Sequence, residues 1–254
     1  MTPPKRLPDW ERVLDGLSPF YGTGDWRVPY LRDHAETPFQ VLVGTILSQR
    51  TKDANTDRAS RALFERYPDA PTLAKARLPD IEARIRATGF YRVKARAVRA
   101  VARELLERFG GEVPRTMEEL LTLPSVGPKT ANCVLVFGYG IPAIPVDTHV
   151  HRIANRLGAV RTATPEATEV ALRAVLPERY WIPINPLLVQ HGQNLCRPRN
   201  PKCRECPIVS ECATGRALRD GRDPPRREDR PPKGRARASA PSTPTGRARA
   251  KVRG

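Results

Sequence analysis

Apolar residues recur every three or four positions along most of residues 1–212, with charged residues between them. This spacing places the apolar side chains on one face of an α-helix, and no run of strict apolar–polar alternation, the pattern of a strand, competes with it. The repeat is clearest at 39–47, 98–106 and 170–176. The pattern predicts an all-α protein built from about ten short helices.

Capping signals mark where several of these helices begin and end. Thr116 is followed three residues later by Glu119, which is a capping box, and Thr164 is followed by Pro165, which suits the first helical position. Glycines then mark predicted helix ends at Gly89, Gly110, Gly111, Gly138, Gly140 and Gly158.

The charge of the chain indicates a polyanionic partner. There are 44 Lys and Arg against 27 Asp and Glu, which gives a formal net charge of +17 over 254 residues. Residues 213–254 carry 13 of the basic and 4 of the acidic residues, so an excess of +8 remains in residues 1–212. Residues 213–254 also contain six prolines and no aromatic residue, which predicts a disordered basic tail.

No apolar run approaches the roughly 18 residues that a membrane-spanning helix needs. The first residues also lack the apolar stretch of a secretory signal, so we expect a cytoplasmic protein with no membrane partner and with reduced cysteines.

The segment 123–131, LPSVGPKTA, lies between the capped helix from Thr116 and an apolar run at 134–137. Gly127 can take a positive φ without steric cost, and Pro128 suits the first turn of a helix. The segment therefore predicts a helix, a tight hairpin and a second helix, whose free N–H groups can bind a phosphate. Such a contact suits a protein that holds a DNA backbone whatever its sequence.

Two residues near this hairpin are candidates for chemistry. Lys129 lies in the first turn of the second helix, where the helix dipole lowers the cost of losing the ammonium proton, and a neutral amine is a nucleophile. Asp147 is predicted to cap a helix that ends at Gly158. The cap keeps the carboxylate charged, so it can face a developing cation.

Four cysteines near the end of the predicted helical region form the strongest single signal. Their spacing is C-x6-C-x2-C-x5-C, among several basic residues, at Cys196, Cys203, Cys206 and Cys212. Four thiols this close in a reducing compartment indicate a metal, and their spacing alone fits either structural zinc or an iron–sulfur cluster. A thioredoxin-like redox pair is disfavoured because no βαβ pattern is present. Cys133 is interpreted as a buried hydrophobic residue.

The hairpin motif, the VDTH segment from Val146 and the cysteine loop occur in the order and at the separations of the endonuclease III family. The chain resembles this family of helix-hairpin-helix DNA glycosylases over roughly residues 7–212. The resemblance implies an all-α fold of two lobes: a six-helix barrel at 31–141, and a helical lobe formed by 1–30 and 142–212 that holds a 4Fe-4S cluster on the four cysteines. The tail would follow at 213–254.

The resemblance also implies an activity. Lys129 would be the nucleophile and Asp147 its partner in a glycosylase with abasic-site lyase activity, which removes oxidised pyrimidines from duplex DNA and cuts the strand by β-elimination. The expected partner is double-stranded DNA with damaged bases or abasic sites, bound by a monomer at the nucleoid.

The family pattern places DNA contacts on three loops. In the first, the glutamine of the family's SAQ motif stands one position earlier here, so the inserted residue is either Gln49 or Arg50. Phe90 matches a hydrophobic wedge. The residues expected on the DNA backbone are Ser125, where the family usually has glycine, and Val126, Gly127 and Thr130.

Two other functions remain open from the sequence. One is a mismatch glycosylase of the same superfamily, acting on thymine or uracil opposite guanine. The other is a non-catalytic DNA-binding module, for which a lysine amine facing an aspartate would have no use.

Overall fold

The computed structural model describes residues 7–21 and 37–221. Within these ranges the chain forms twelve α-helices and no β-strand, which confirms the all-α prediction. None of the described helices combines the length and apolar character needed to cross a membrane.

The helices in chain order are α1 (Trp10–Tyr21), α2 (Pro38–Ser48), α3 (Asp53–Phe64), α4 (Ala70–Lys75), α5 (Leu78–Arg84), α6 (Tyr91–Phe109), α7 (Met117–Leu121), α8 (Pro128–Cys133), α9 (Thr148–Leu157), α10 (Pro165–Val175), α11 (Trp181–Asn194) and α12 (Ala213–Arg219). Short 3₁₀ turns lie at Glu178–Tyr180 and Cys203–Glu205.

The predicted helix starts at Thr116 and Thr164 are confirmed. The hydroxyl of Thr116 accepts the N–H of Glu119 at 3.3 Å and donates to the Glu119 carboxylate at 2.8 Å, so the two residues pair at the start of the helix. The hydroxyl of Thr164 accepts the N–H of Ala167 at 3.2 Å. These bonds pair N–H groups that have no partner within the helix.

The first hydrophobic core is built around α2, which is buried on all sides. Eight of its eleven residues are buried, and α3, α6, α8 and the turn after α8 pack against it, in a core that extends over residues 39–143. Ala76 and Arg77 are extended and Pro79 opens the next helix, so 70–84 forms two short helices. The described part of residues 31–141 therefore contains seven α-helical segments by these bounds.

The second hydrophobic core joins α1 to the helices that follow the barrel. It contains buried residues from 10–17 and from 144–208, so the chain passes from the first core to the second between Ala143 and Ile144. The indole N–H of Trp10 donates to the carbonyl of Val175 at 2.9 Å, which fixes α1 against the end of α10. The cysteine loop thus lies in a lobe that both ends of the described chain help to form.

Two local predictions need correction. The apolar run after α8 does not continue as an α-helix but forms a π-helical turn at Val134–Gly138, where Gly138 lies close against Pro38 of α2. The disordered tail was predicted to begin at Ala213, but Ala213–Arg219 is helical. The thiol of Cys212 accepts the N–H of Gly215 at 3.3 Å, which starts this helix, and Ala217 is buried. The rest of the predicted tail, from 222, lies outside the described residues.

Candidate active site

The hairpin between α7 and α8 has the predicted shape but a different residue at its tightest point. Ser125 has a φ of +64°, whereas Gly127 has a φ of −108°, so the prediction that Gly127 supplies the positive φ is wrong. The left-handed conformation costs a non-glycine residue about 1–2 kcal/mol. This geometry explains why a glycine at position 125 would be favourable.

Gly127 instead begins α8 without any side-chain acceptor for its first N–H groups. A Cβ atom at Gly127 would point into open space, so neither φ nor packing requires glycine here. Val126 and Thr130 are buried, so neither side chain is available for the DNA contacts predicted from the sequence. The exposed residues of the hairpin are Ser125, Gly127 and Pro128.

Asp147 caps α9 as predicted. Its Oδ1 atom accepts the N–H groups of His149 at 2.9 Å and Val150 at 2.8 Å, and α9 ends at Gly158 with a φ of +82°. Both cap bonds use the same oxygen atom. The helix therefore fixes the carboxylate while Oδ2 stays outside the cap.

Lys129 and Asp147 both act on one buried thiol, that of Cys133. Burial raises the pKa of Cys133, a hydrogen bond and the positive charge of Lys129 oppose that rise, and the Asp147 carboxylate adds to it. One thiol therefore interacts with both residues, although one lies on α8 in the first lobe and the other begins α9 in the second. Cys133 is buried, as expected, but it also contacts the candidate nucleophile.

Two arginines of α9 hold the cysteine loop. The guanidinium of Arg152 donates to the carbonyl of Cys196 at 2.9 and 3.1 Å and to that of Gly192 at 3.2 Å. Arg156 lies 3.2 Å from the Cys196 thiol and donates to the carbonyl of Arg197 at 2.7 Å. The sequence analysis did not identify these arginines; their i, i+4 spacing on the helix capped by Asp147 was the available signal.

The four cysteines of the loop surround one cavity. Its remaining walls are mostly apolar and include Ile153, Leu157, Leu195 and Ile208. Among the described residues, no three His, Cys, Asp or Glu side chains form a group suited to a single metal ion. The thiols thus line a shared cavity and do not converge on the position of a single metal ion.

Burial favours the protonated form of three of these thiols, those of Cys203, Cys206 and Cys212. It raises the pKa of Cys206 to about 12 and also raises the pKa values of Cys203 and Cys212, with the neighbouring cysteines adding to the shift. A buried thiolate needs compensating positive charge. The all-sulfur donor set, enclosed by apolar walls, therefore fits a metal centre that supplies that charge.

Two exposed loops meet beside the barrel. Arg50 and Phe90 both have left-handed backbones, with φ values of +52° and +58°, and the guanidinium of Arg50 lies 6.0 Å from the centre of the Phe90 ring. Phe90 is 63% exposed, which is unusual for so large an apolar side chain. Gln49 is also exposed.

Residues 43–178 match the family model of the HhH-GPD superfamily base excision DNA repair protein. The chain belongs to this superfamily.

Its relatives include Endonuclease III of Thermotoga maritima, which is 53% identical over 182 residues, or 71% of this chain and 85% of that protein. A trapped covalent intermediate of endonuclease III with DNA superposes with a TM-score of 0.73 at 31% identity, and a non-covalent endonuclease III–DNA complex with a TM-score of 0.74 at 32% identity. Each superposition covers 83% of this chain and 97% of the other.

Substitution of Ser125 by glycine tests the strain in the hairpin. Because glycine adopts a positive φ without a Cβ clash, we expect Ser125→Gly to raise the free energy of unfolding by roughly 0.5–1 kcal/mol after the greater entropy of the unfolded glycine is deducted. Urea unfolding followed by circular dichroism measures the change. Ser18→Gly, inside α1, is the matched control and should lower stability by a similar amount. A decrease for both variants would contradict the strain argument.

Proposed function

We propose that this protein is a base-excision-repair DNA glycosylase with abasic-site lyase activity, which removes oxidised pyrimidines from duplex DNA and cuts the strand by β-elimination. The observation that carries the proposal is that Lys129 and Asp147 both act on the buried thiol of Cys133, Lys129 through a hydrogen bond and its charge and Asp147 through its charge. The superfamily membership and the superposition on endonuclease III–DNA complexes support the same activity.

Lys129 acts as the nucleophile in this proposal. Its neutral amine attacks C1′ of the damaged nucleotide, and the C1′–N bond breaks as the base leaves with the bonding electron pair and takes up a proton. The carboxylate of Asp147 stabilises the positive charge that develops on the sugar and accepts the proton that the amine loses. The cap on α9 suits this role because it holds one oxygen atom and leaves the other outside the cap.

Strand cutting follows from the covalent intermediate. Opening of the sugar ring leaves an iminium between C1′ and the Lys129 nitrogen, which makes the C2′ proton acidic. When a base removes that proton, its electron pair forms a double bond between C2′ and C3′, and the 3′ phosphate leaves with the C–O electrons. Hydrolysis of the iminium then releases the lysine.

The damaged nucleotide must leave the base stack before attack, because C1′ is inaccessible within the duplex. We propose that Arg50 and Phe90 fill the gap, with the ring entering the stack and the guanidinium reaching the opposite strand. The contact between the Arg50 guanidinium and the Phe90 ring supports this pair.

The hairpin would hold the DNA backbone on the other side of the lesion. The first turn of α8 offers N–H groups without a side-chain acceptor, and the open space beside Gly127 allows a phosphate to approach closely. Ser125 is exposed at the turn itself and can donate its hydroxyl to the same phosphate.

The four cysteines would hold a 4Fe-4S cluster. When bound, the cluster supplies positively charged iron that stabilises four thiolates. The thiols surround a shared cavity, and Arg156 adds a hydrogen bond to the Cys196 sulfur. This arrangement supports a structural role in which the loop and its basic residues are fixed for DNA binding. We place the protein with its substrate at the nucleoid.

Replacement of Lys129 by glutamine should abolish the lyase reaction. Glutamine cannot form an imine, so we expect borohydride trapping on abasic duplex DNA to disappear and strand cutting to fall by at least about a thousandfold. Gel electrophoresis of labelled duplexes that carry thymine glycol or an abasic site measures both. Lys75→Gln, at the exposed end of α4, should react like the wild type. Undiminished cutting by Lys129→Gln would refute the proposal.

Replacement of Asp147 by asparagine should separate capping from chemistry. Asparagine caps helices as well as aspartate does, so the melting temperature should change little, but the lost charge should slow base release by about 10²–10⁴-fold. Single-turnover kinetics on a thymine glycol duplex measure the rate. Asp69→Asn, which alters the cap of α4, should leave the rate unchanged. A normal rate for Asp147→Asn would show that its charge has no role in the reaction.

Metal analysis tests the cofactor. Protein purified without oxygen should be brown, with broad visible absorption and about four irons and four sulfides per chain. Cys206→Ser should lower the iron content and the melting temperature, whereas Cys133→Ser should keep its iron because Cys133 lies outside the cysteine loop. A colourless protein that contains one zinc per chain would overturn the assignment.

A further inference from the structure

Lys94 is the one buried lysine among the described residues, and the chemistry above does not use it. It is 5% exposed and lies in the first turn of α6, four positions after Phe90. A buried ammonium must have hydrogen-bond acceptors, since leaving its charge without partners would be very unfavourable. The atoms that accept its N–H groups therefore indicate what it does.

All three N–H groups of the ammonium reach the segment that follows α2. The Nζ atom lies 2.7 Å from each of the Leu47 carbonyl, the Gln49 carbonyl and the Thr51 hydroxyl. Because α2 ends at Ser48, the Leu47 carbonyl is one of those that the helix cannot pair by itself. Lys94 therefore caps α2 from a neighbouring helix, with its charge at the negative end of the helix dipole.

Two of these bonds lie on either side of Arg50. Gln49 and Thr51 are its chain neighbours, and Arg50 itself has a φ of +52°, a conformation that is unfavourable for a side chain with a Cβ atom. The ammonium thus fixes the backbone before and after the residue. An exposed arginine is held in one conformation by a buried lysine.

The same lysine is bonded to the second loop. Its backbone N–H donates to the Phe90 carbonyl at 3.0 Å, which closes the first turn of α6. The two loops also touch, because a Cβ atom at Gly89 would lie 3.2 Å from the Arg50 carbonyl. Lys94 therefore links the backbones that carry Arg50 and Phe90.

We propose that Lys94 is a positioning residue that fixes the geometry of Arg50 and Phe90, so that both enter the duplex together when a nucleotide is extruded. The inference rests on the proposed glycosylase function. A loop that already has its inserting conformation loses less entropy when it enters DNA, so extrusion is faster.

The protonation state of Lys94 is consistent with this role. Burial lowers its pKa from 10.5 to about 8, so most molecules keep the ammonium form at neutral pH. The ammonium form has three N–H groups for the three acceptors, whereas the neutral amine has only two.

Lys94→Met tests the proposal, because methionine keeps most of the side-chain volume but donates no hydrogen bond. The first measurement is the stopped-flow fluorescence of 2-aminopurine placed opposite an abasic site, which rises when this base is unstacked. The second is abasic-site cutting on a duplex and on a single-stranded oligonucleotide, where there is no stack to fill. Lys75→Met is the control for the same substitution at an exposed lysine.

We expect Lys94→Met to slow the fluorescence rise and duplex cutting by at least about tenfold. A tenfold decrease in rate corresponds to a rise of roughly 1.4 kcal/mol in the activation free energy. Cutting of the single strand should stay within about twofold of the wild type. Equal losses on both substrates would overturn the proposal, since Lys94 would then support the fold or the chemistry in general. Unchanged duplex kinetics would overturn it as well.

Two further outcomes are separable. If the wild-type protein cuts neither substrate, the proposed lyase function fails, and the fluorescence rise still reports whether Lys94 governs insertion. If Lys94→Met does not fold, Thr51→Val removes one of the three acceptors and should cause the same duplex-selective loss, about threefold. Absence of any selective loss in Thr51→Val would then reject the role of Lys94.

Discussion

The two hydrogen bonds that Asp147 accepts at the start of α9 are the constraint on which the candidate site depends. They fix one carboxylate oxygen to a helix and thereby place a negative charge at the boundary between the two hydrophobic cores. The same helix carries Arg152 and Arg156, which hold the first cysteine of the cysteine loop. One helix therefore positions the aspartate at its first turn and the cysteine loop along its length, so a change in its packing would move both.

Backbone strain is concentrated where the proposed function needs it. The described residues include four non-glycine positions with a positive φ: Arg50, Phe90, Ser125 and Asn200. The first three lie in the loops assigned to DNA and the fourth in the cysteine loop. Left-handed conformations persist in such residues only where the surrounding structure over-determines them. At Arg50 that surrounding structure includes the bonds of Lys94, and at Ser125 it is the tight connection between α7 and α8.

The sequence predicted what depends on local chemistry. The capping residues lie close in sequence to the N–H groups that they cap, so spacing alone predicted the caps at Thr116, Thr164 and Asp147. Spacing also predicted that the four cysteines lie together, because they fall within one short loop. The sequence did not predict the start of α12, because a cysteine thiol is not among the usual capping residues. The basic, proline-rich composition of residues 213–254 also predicted disorder from Ala213 onward.

Contacts between distant segments could not be read in the same way. Lys94 looks like a surface charge in an amphipathic helix, and only the packing of α6 against the end of α2 shows that its ammonium is buried. The exchange of roles between Ser125 and Gly127 is similar. Both residues suit a turn, and the choice between them follows from how α7 and α8 must meet rather than from either residue's own preference.

The buried thiol of Cys133 completes the electrostatic picture of the site. Because burial raises its pKa, the thiol stays neutral at neutral pH, and Lys129 therefore contacts a neutral partner there rather than an anion. A thiolate at this position would hold the lysine in its charged form and would compete with Asp147 for the amine. A small, apolar and weakly hydrogen-bonding side chain avoids that competition, so a residue that the sequence indicates only as core also affects the charge that surrounds the candidate nucleophile.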